Sequence, residues 1–154
     1  MDMKKIASFT VNHDRLEKGM YISRVDGDVI TYDIRMKRPN GGDYLKGSAA
    51  HTLEHLFATY ARNSAYGDEV IYVGPMGCKT GFYLLLRDTV SHANAIELVK
   101  ASMAYARDFE GEIPGNKKEE CGNYLYHDLA GAKAIAADIC QVLDNWQVKD
   151  LQYK

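Results

Sequence analysis

Two histidines and a glutamate within residues 51–55 have the spacing of a metal site. The segment reads His-Thr-Leu-Glu-His. In a helix His51 and His55 lie about one turn apart on one face, and Glu54 leans over the same face. Neutral imidazole is a common metal ligand, and a neighbouring carboxylate can move protons for whatever the metal binds. The trio therefore predicts a helix-borne metal site with an acid/base group beside it.

The same pattern has other interpretations. It is also consistent with an ordinary helix carrying two surface histidines, since short motifs match by chance. H-x-x-E-H is also the inverted zincin motif, in which Glu54 would activate a metal-bound water in a zinc hydrolase. A catalytic metal needs a third protein ligand and one open position, whereas a structural metal takes four protein ligands. The other candidate ligands therefore decide the interpretation.

The three cysteines supply those candidates. Cys140 lies on the apolar stripe of a predicted helix, so we assign it to the core. Cys121 follows a charged stretch and precedes a glycine, whereas Cys78 lies between glycines with Lys79 after it, a cation that favours thiolate. An odd number without spaced pairs speaks against a disulfide framework. Three arrangements remain: Cys121 as ligand with Cys78 as catalyst, the reverse, or both cysteines in a closed, non-catalytic site with the two histidines.

Other polar residues carry weaker signals. Arg35 lies on the less apolar face of a predicted strand, where it could hold a carboxylate by two bonds or pair with Asp33. His13 ends a short strand-like stretch and could belong to the surface or to a site. His92 and His127 are best explained as residues at the starts of predicted helices.

Composition limits the function classes. The chain has 154 residues, 46% hydrophobic and 26% charged, which predicts one globular domain over residues 1–154. A net charge of −2 offers no basic stripe for nucleic acid. The N-terminus lacks the apolar run of a signal peptide, and no stretch reaches the apolar length that spans a bilayer. We therefore expect a cytoplasmic protein without nucleic-acid or membrane partners.

Predicted strands lie on both sides of the histidine helix. Asp26-Gly27 is a strong hairpin signal, and the alternation after it places Ile30, Tyr32, Ile34 and Met36 on one face. Two more strands are predicted at about 69–73 and 81–87, joined by the bend that holds Cys78.

Three helices complete the prediction. Ser48 is a plausible cap for the helix that carries His51, a second helix is predicted from Ser91 to about residue 109, and a third over 128–146. The elements lack a βαβ rhythm. The expected class is therefore α+β, an antiparallel sheet packed on one face by helices.

Five segments of the chain closely resemble the LuxS family, the S-ribosylhomocysteine lyases. They are SFTVNH, DIRMKRPN, HTLEHLFATYARN, PMGCKTGFYL and ECGNYLYHDLAGAK, and they fall in order between residues 8 and 133. Each segment alone is modest, but five in register are highly specific. The resemblance implies a LuxS-like fold and a single lyase domain over residues 1–154.

The resemblance also implies the roles of the candidate residues. It places the metal on His51, His55 and Cys121, with the fourth position for water or substrate, and it makes Cys78 and Glu54 acid/base groups. It thereby selects the first of the three cysteine arrangements. The implied cofactor is one divalent ion per subunit, iron(II) with zinc(II) possible, and a site of two histidines and one cysteine suits either ion.

Further implications concern the substrate pocket. The resemblance places Ser8, His13 and Arg35 at the substrate, with Arg35 near the amino-acid end and reaching across a homodimer interface. The chain departs from the family at residues 72–75, where Tyr-Val-Gly-Pro replaces the common Asp-Ile-Ser-Pro, and at Asn12, where aspartate is usual. Loss of the acid at position 72 removes a polar contact close to the pocket.

The implied reaction converts S-ribosylhomocysteine into homocysteine and 4,5-dihydroxy-2,3-pentanedione, the precursor of the quorum-sensing signal autoinducer-2. A thioether leaves poorly unless a carbanion forms on the adjacent carbon, and such a carbanion is accessible only beside a carbonyl. The carbonyl must therefore move from C1 to C3 before β-elimination releases homocysteine. Protons removed and returned at successive carbons require positioned bases, which agrees with the roles implied for Glu54 and Cys78.

Overall fold

The computed structural model describes residues 2–154, which form a four-stranded antiparallel sheet and three helices. The strands are β1 (Gly19–Asp26), β2 (Val29–Arg35), β3 (Val70–Pro75) and β4 (Gly81–Arg87), in the order β1-β2-β4-β3. The helices are α1 (Gly47–Asn63), α2 (His92–Asp108) and α3 (Leu129–Val142). Short 3-10 turns occupy Ala7–Phe9, Gly67–Glu69 and Val148–Leu151. The predicted α+β class is confirmed.

The predicted hairpin joins β1 to β2. Asp26 pairs with Val29, and Gly27 between them takes a positive φ of 59°, which an L side chain rarely adopts. The expected inward face of β2 is buried, but Asp33 and Arg35 on its other face are buried as well, at 1% and 3% exposure. The second face of β2 therefore holds a buried charge pair rather than solvated side chains.

The core lies between the sheet and the helices. Its largest fully buried side chains include Met20, Tyr32, Ile34, Leu53, Leu56, Phe57, Phe82, Leu84 and Met103. Burying an apolar side chain of this size contributes about 1.5–3 kcal/mol. Because α1 buries one face in this core, its other face, which carries His51, Glu54 and His55, is held in a fixed position.

Two of the three helix starts were predicted correctly and one was not. Ser91 caps α2 by accepting from the Asn94 N–H, and Asp128 caps α3 by accepting from the Gly131 N–H. Helix α1 instead begins at Gly47, so the expected capping role of Ser48 is wrong. Ser48 lies in the first turn, where its carbonyl accepts a hydrogen bond from the hydroxyl of Thr52.

Helix α3 ends at Val142, earlier than the predicted residue 146, because Trp146 packs against strand β1 instead of continuing the helix. Its indole N–H donates to the Met20 carbonyl at 2.9 Å, and its ring covers Gly19, where any Cβ would collide with it. The strand-like stretch at residues 8–13 was also wrong, since the region forms only the turn Ala7–Phe9.

Within residues 2–154, none of the helices combines the length and apolar character needed to cross a bilayer.

Candidate metal centre and adjoining cavities

His51 and His55 are held by backbone carbonyls from distant loops. The Nδ1 of His51 lies 2.5 Å from the Tyr126 carbonyl oxygen, and the Nδ1 of His55 lies 2.7 Å from the Pro114 carbonyl oxygen. A carbonyl oxygen only accepts, so each Nδ1 carries a proton, and in the neutral form of each ring Nε2 presents a lone pair. This is the usual arrangement of metal-ligating histidines, whose second ring nitrogen donates to a carbonyl or carboxylate.

The Pro114 carbonyl reaches His55 because the next residue is glycine. Gly115 has a positive φ of 71°, and a Cβ there would lie 3.1 Å from the Nδ1 of His55. A side chain would therefore be strained by the backbone and would press on the imidazole. The loop geometry and the orientation of His55 depend on each other.

Three electron-pair donors converge beyond these histidines. The two Nε2 atoms are 3.1 Å apart, and the Sγ of Cys121 lies 3.4 Å from His51 Nε2 and 3.9 Å from His55 Nε2. A tetrahedral zinc-like ion bound at 2.0–2.1 Å to nitrogen and 2.3 Å to sulfur requires separations of about 3.3 Å and about 3.5 Å. Two lone pairs facing each other without a proton repel, and a cation between them removes that repulsion. The donor set therefore fits a metal ion.

His127 joins this cluster, although the sequence analysis assigned it only to the start of a helix. The candidate ligand atoms of His51, His55, Cys121 and His127 all lie within 4.8 Å of one another. Sequence spacing gave no reason to pair His127 with residues more than seventy positions earlier. The only signal was its closeness to Cys121 in the chain.

The ring geometry argues against His127 as a fourth ligand. Its ring is stacked on that of His51, with centroids 4.1 Å apart and planes inclined by 15°. The nitrogen lone pair lies in the ring plane, so two stacked rings direct their lone pairs side by side rather than toward one point. Coordination of one ion by both rings would require His127 to turn. In the arrangement shown, three side chains, those of His51, His55 and Cys121, could coordinate one ion.

Thr52 fixes His127 in this position. Its hydroxyl oxygen lies 2.9 Å from His127 Nδ1 and accepts from the Asp128 N–H at 2.9 Å. The His127 Nε2 is buried and has no hydrogen-bond partner among the described residues. Burial, followed by the neighbouring imidazoles of His51 and His55, lowers the pKa of His127 and keeps its ring neutral.

Glu54 faces two cavities beside the histidines. One, of about 250 Å³, is also lined by His51, Met76 and Gly77. The other, of about 430 Å³, is also lined by His55 and Tyr72. Glu54 therefore has access to space on both sides of the histidine pair.

Tyr72, which stands where the family commonly has aspartate, lines the larger of these two cavities. Its side chain is half exposed, and its phenol covers Gly74, where a Cβ would collide with the ring. The tyrosine and the glycine at these two positions are therefore sterically matched.

Cys78 opens into a different cavity, of about 250 Å³. Ser8, His13 and Arg35, the three residues that the resemblance places at the substrate, line this cavity with it. The Sγ of Cys78 lies 3.0 Å from the Thr80 hydroxyl oxygen. Met76 and Gly77 line both this cavity and the smaller one beside Glu54.

Arg35 makes the pair with Asp33 that was its alternative assignment. Its Nε donates to Asp33 Oδ1 at 3.1 Å and its Nη2 donates to Oδ2 at 2.7 Å. The Nη1 donates to Thr80 Oγ1 at 2.7 Å and lies 3.9 Å from Cys78 Sγ. The two-point grip of the guanidinium is thus on Asp33, and its remaining edge is turned toward Cys78.

The positions of the cysteines bear on the three arrangements. Within residues 2–154, the cluster of possible ligand atoms includes Cys121 but not Cys78. The closed site with two cysteines is therefore not what the structure contains. Cys140 packs against the core on α3, and its burial raises the pKa of its thiol.

Comparison with known proteins gives consistent matches along the chain. Residues 6–150 match the family described as S-Ribosylhomocysteinase (LuxS). A relative from Desulfotalea psychrophila is 46% identical, covering 98% of this chain and 99% of the relative. Relatives from Phocaeicola vulgatus and Clostridium acetobutylicum are 45% and 43% identical, with 98% of this chain and 98% and 99% of the relatives covered. All three are named S-ribosylhomocysteine lyase.

Proposed function

Because this chain belongs to the S-ribosylhomocysteinase (LuxS) family, we infer that it is an S-ribosylhomocysteine lyase, an enzyme that breaks a carbon–sulfur bond. The observation that carries this inference is the convergence of His51, His55 and Cys121, inside a family match that covers nearly the whole chain. We propose that residues 1–154 form one lyase domain, which the match over residues 6–150 supports.

The proposed reaction moves a carbonyl along the ribose and then eliminates homocysteine. Proton transfers between neighbouring carbons shift the carbonyl from C1 to C2 and from C2 to C3. Removal of the C4 proton then expels the C5 sulfur, which takes up a proton as homocysteine. The remaining enol becomes 4,5-dihydroxy-2,3-pentanedione, so no external oxidant or reductant is needed.

His51, His55 and Cys121 would hold one divalent metal ion. When bound, such an ion acts as a Lewis acid that stabilises negative charge on the sugar oxygens, an effect of several kcal/mol. The donor set of two imidazoles and one thiolate suits iron(II) and zinc(II) alike. We propose iron(II) as the native ion, because the family resemblance implies it, with zinc(II) as the alternative. The carbonyls of Tyr126 and Pro114 keep both imidazoles oriented with Nε2 toward Cys121 Sγ, where the ion would be held.

Glu54 and Cys78 would carry the protons. Glu54 stands on the same helix face as the two histidines and borders both adjoining cavities. Cys78 lies beside a hydroxyl, that of Thr80, and a guanidinium, that of Arg35, which together stabilise negative charge on sulfur. Stepwise proton transfer at successive carbons needs bases on opposite sides of the substrate, and these two residues border separate cavities.

The substrate would be positioned by Ser8, His13 and Arg35, which line the Cys78 cavity. The Nδ1 of His13 lies 2.8 Å from the Val11 carbonyl oxygen, so Nδ1 donates to that carbonyl and Nε2 is the ring nitrogen left for the substrate. Because two nitrogens of the Arg35 guanidinium already donate to Asp33, Arg35 would offer the substrate only its remaining edge, not a two-point hydrogen bond.

A homodimer would join the two halves of this site. In one chain the Cys78 cavity and the histidine cluster face separate spaces that share the wall formed by residues 76–77. Exposed aromatic side chains flank both spaces, with Phe9 69% exposed at the first and Tyr126, stacked on His51, 47% exposed at the second. A second copy covering these side chains would enclose the substrate, and sedimentation of the metal-loaded protein as a dimer tests this proposal.

We further propose that the enzyme acts in the cytoplasm. Its pentanedione product would supply autoinducer-2 for quorum sensing, and release of homocysteine would serve the activated methyl cycle. A zinc hydrolase of the inverted-motif class fits less well, since such enzymes usually take an acidic third ligand where this cluster has Cys121.

Thiol release tests the proposed function. Metal-loaded protein is incubated in catalytic amount with S-ribosylhomocysteine, and free homocysteine is measured with a thiol reagent. We expect one thiol per substrate consumed, loss of turnover in Cys78→Ala, and unchanged turnover in the matched control Cys140→Ala. Absence of thiol release by the wild-type protein contradicts the proposed function, and full activity of Cys78→Ala removes that residue from the mechanism.

A further inference from the structure

Tyr153 lies at the Cys78 cavity, although its sequence context gave no reason to place it there. It follows the last 3-10 turn, and its ring stacks on Tyr21 of β1 with centroids 5.2 Å apart and planes inclined by 22°. Its hydroxyl donates to Asp33 Oδ2 at 2.6 Å. The phenol therefore reaches the buried charge pair next to Cys78.

The Tyr153 hydroxyl completes the hydrogen bonding of Asp33. This carboxylate is 1% exposed, and a buried carboxylate is costly unless its oxygens accept hydrogen bonds. Arg35 supplies one bond to each oxygen, and Tyr153 adds a second bond to Oδ2. Burial, followed by the charge of Asp33, raises the pKa of Tyr153, so the phenol keeps its proton and remains a donor.

Arg35 connects this carboxylate to Cys78. A guanidinium is planar, so the bonds from Nε and Nη2 to Asp33 fix the direction of Nη1. That nitrogen lies 2.7 Å from Thr80 Oγ1 and 3.9 Å from Cys78 Sγ, and the hydroxyl oxygen lies 3.0 Å from the same sulfur. The orientation of the carboxylate thus determines where the guanidinium and the hydroxyl meet the sulfur.

We propose that Tyr153 is a positioning residue for Cys78, acting through Asp33 and Arg35 rather than by touching the substrate. The proposal rests on the proposed function, in which Cys78 carries protons. Without the phenol hydroxyl, Asp33 loses its third hydrogen bond and is held by Arg35 alone, so the carboxylate can shift. Arg35 then follows the carboxylate, and negative charge on the sulfur loses part of its stabilisation.

Tyr153→Phe in the full-length, metal-loaded protein tests this role, because it removes the hydroxyl and keeps the ring stack. We measure iodoacetamide alkylation of Cys78 at pH 7 by mass spectrometry of the peptide that contains it. The rate should fall about 3- to 10-fold, since hydrogen bonds to a charged group are among the strongest in proteins. The kcat should fall by a similar factor while KM changes little.

Tyr21→Phe is the matched control. It removes a hydroxyl from the other ring of the same stack, but that hydroxyl donates to the Glu17 carbonyl at 3.0 Å and not to Asp33. Cys78 in this variant should be alkylated at the wild-type rate. Labelling of Cys140 in the same samples reports partial unfolding, which would raise rates rather than lower them.

Two results would overturn the proposal. One is a wild-type alkylation rate in Tyr153→Phe. The other is equal slowing in both phenylalanine variants, which would show that packing of the stack controls the sulfur. Alkylation does not require turnover, so a wild-type protein without lyase activity would refute the proposed function while leaving this test intact.

Discussion

Replacing Gly115 with alanine should weaken metal binding far more than it weakens the fold. Gly115 has a φ of 71°, and the new Cβ would lie 3.1 Å from the Nδ1 of His55, closer than most real Cβ contacts. Either the imidazole or the loop must give way by a few tenths of an ångström. The bond from His55 Nδ1 to the Pro114 carbonyl, now 2.7 Å, is the contact that would be lost.

The expected magnitudes separate these two effects. An L residue in the left-handed region costs about 1–2 kcal/mol of folding free energy. Losing the hydrogen bond that orients a metal-ligating histidine typically lowers metal affinity about 10- to 100-fold, or roughly 1.4–2.8 kcal/mol. Gly42→Ala is a matched control, because Gly42 has a φ of 84° but a Cβ added there would meet no atom within 4 Å. It should show the folding cost alone.

The assay is competition for zinc with a chromophoric chelator, accompanied by thermal melts of the metal-free proteins. Gly115→Ala and Gly42→Ala should melt at similarly lowered temperatures, and only Gly115→Ala should lose zinc affinity. Equal zinc affinities in the two variants would refute the reasoning that the carbonyl of Pro114 orients His55 for the metal.

Three further predictions concern the neighbouring residues. His127→Ala should keep one metal ion per chain with about 10-fold lower affinity, because the His127 ring stacks on His51 and supports it rather than binding the ion itself. Complete loss of metal in equilibrium dialysis would show that His127 is a ligand. Asp128→Ala should cost about 1 kcal/mol in denaturant unfolding at pH 7, the usual value of a helix cap, whereas Asp128→Asn keeps an acceptor for the Gly131 N–H and should cost less. The Gly131 N–H, followed by Lys46, lowers the pKa of Asp128 below its ordinary 3.8. The ionised cap therefore contributes stability above pH 3.8, and this contribution is lost as the pH falls through the lowered pKa. Asp128→Asn should lack this loss when unfolding is measured as a function of acid pH, and an acid profile equal to that of the wild-type protein would contradict this prediction.

The fold was predictable where one local pattern decides it. Alternation after Asp26-Gly27 gave the hairpin and the buried face of β2, and polar caps at Ser91 and Asp128 gave two helix starts. The end of α3 was not predictable, because Trp146 leaves the helix to cover Gly19, a contact across most of the chain. Long-range packing overrides local periodicity at such places.

In the candidate site, too, the residues set by one local pattern were predictable and those set by long-range packing were not. The spacing of His51, Glu54 and His55 is a property of one helix, so the sequence alone placed them on a common face. The residues alone could not distinguish Cys78 from Cys121 as ligand, because that choice depends on loops brought together from distant parts of the chain. His127 was missed for the same reason.

X-ray absorption spectroscopy of the metal-loaded protein tests the central claim most directly. We expect two imidazole nitrogens at about 2.0–2.1 Å, one sulfur at about 2.3 Å, and one further light atom that substrate displaces. The sulfur shell should vanish in Cys121→Ala and persist in Cys78→Ala. A second sulfur, a third imidazole or a fourth ligand that substrate cannot displace would contradict an open site held by His51, His55 and Cys121.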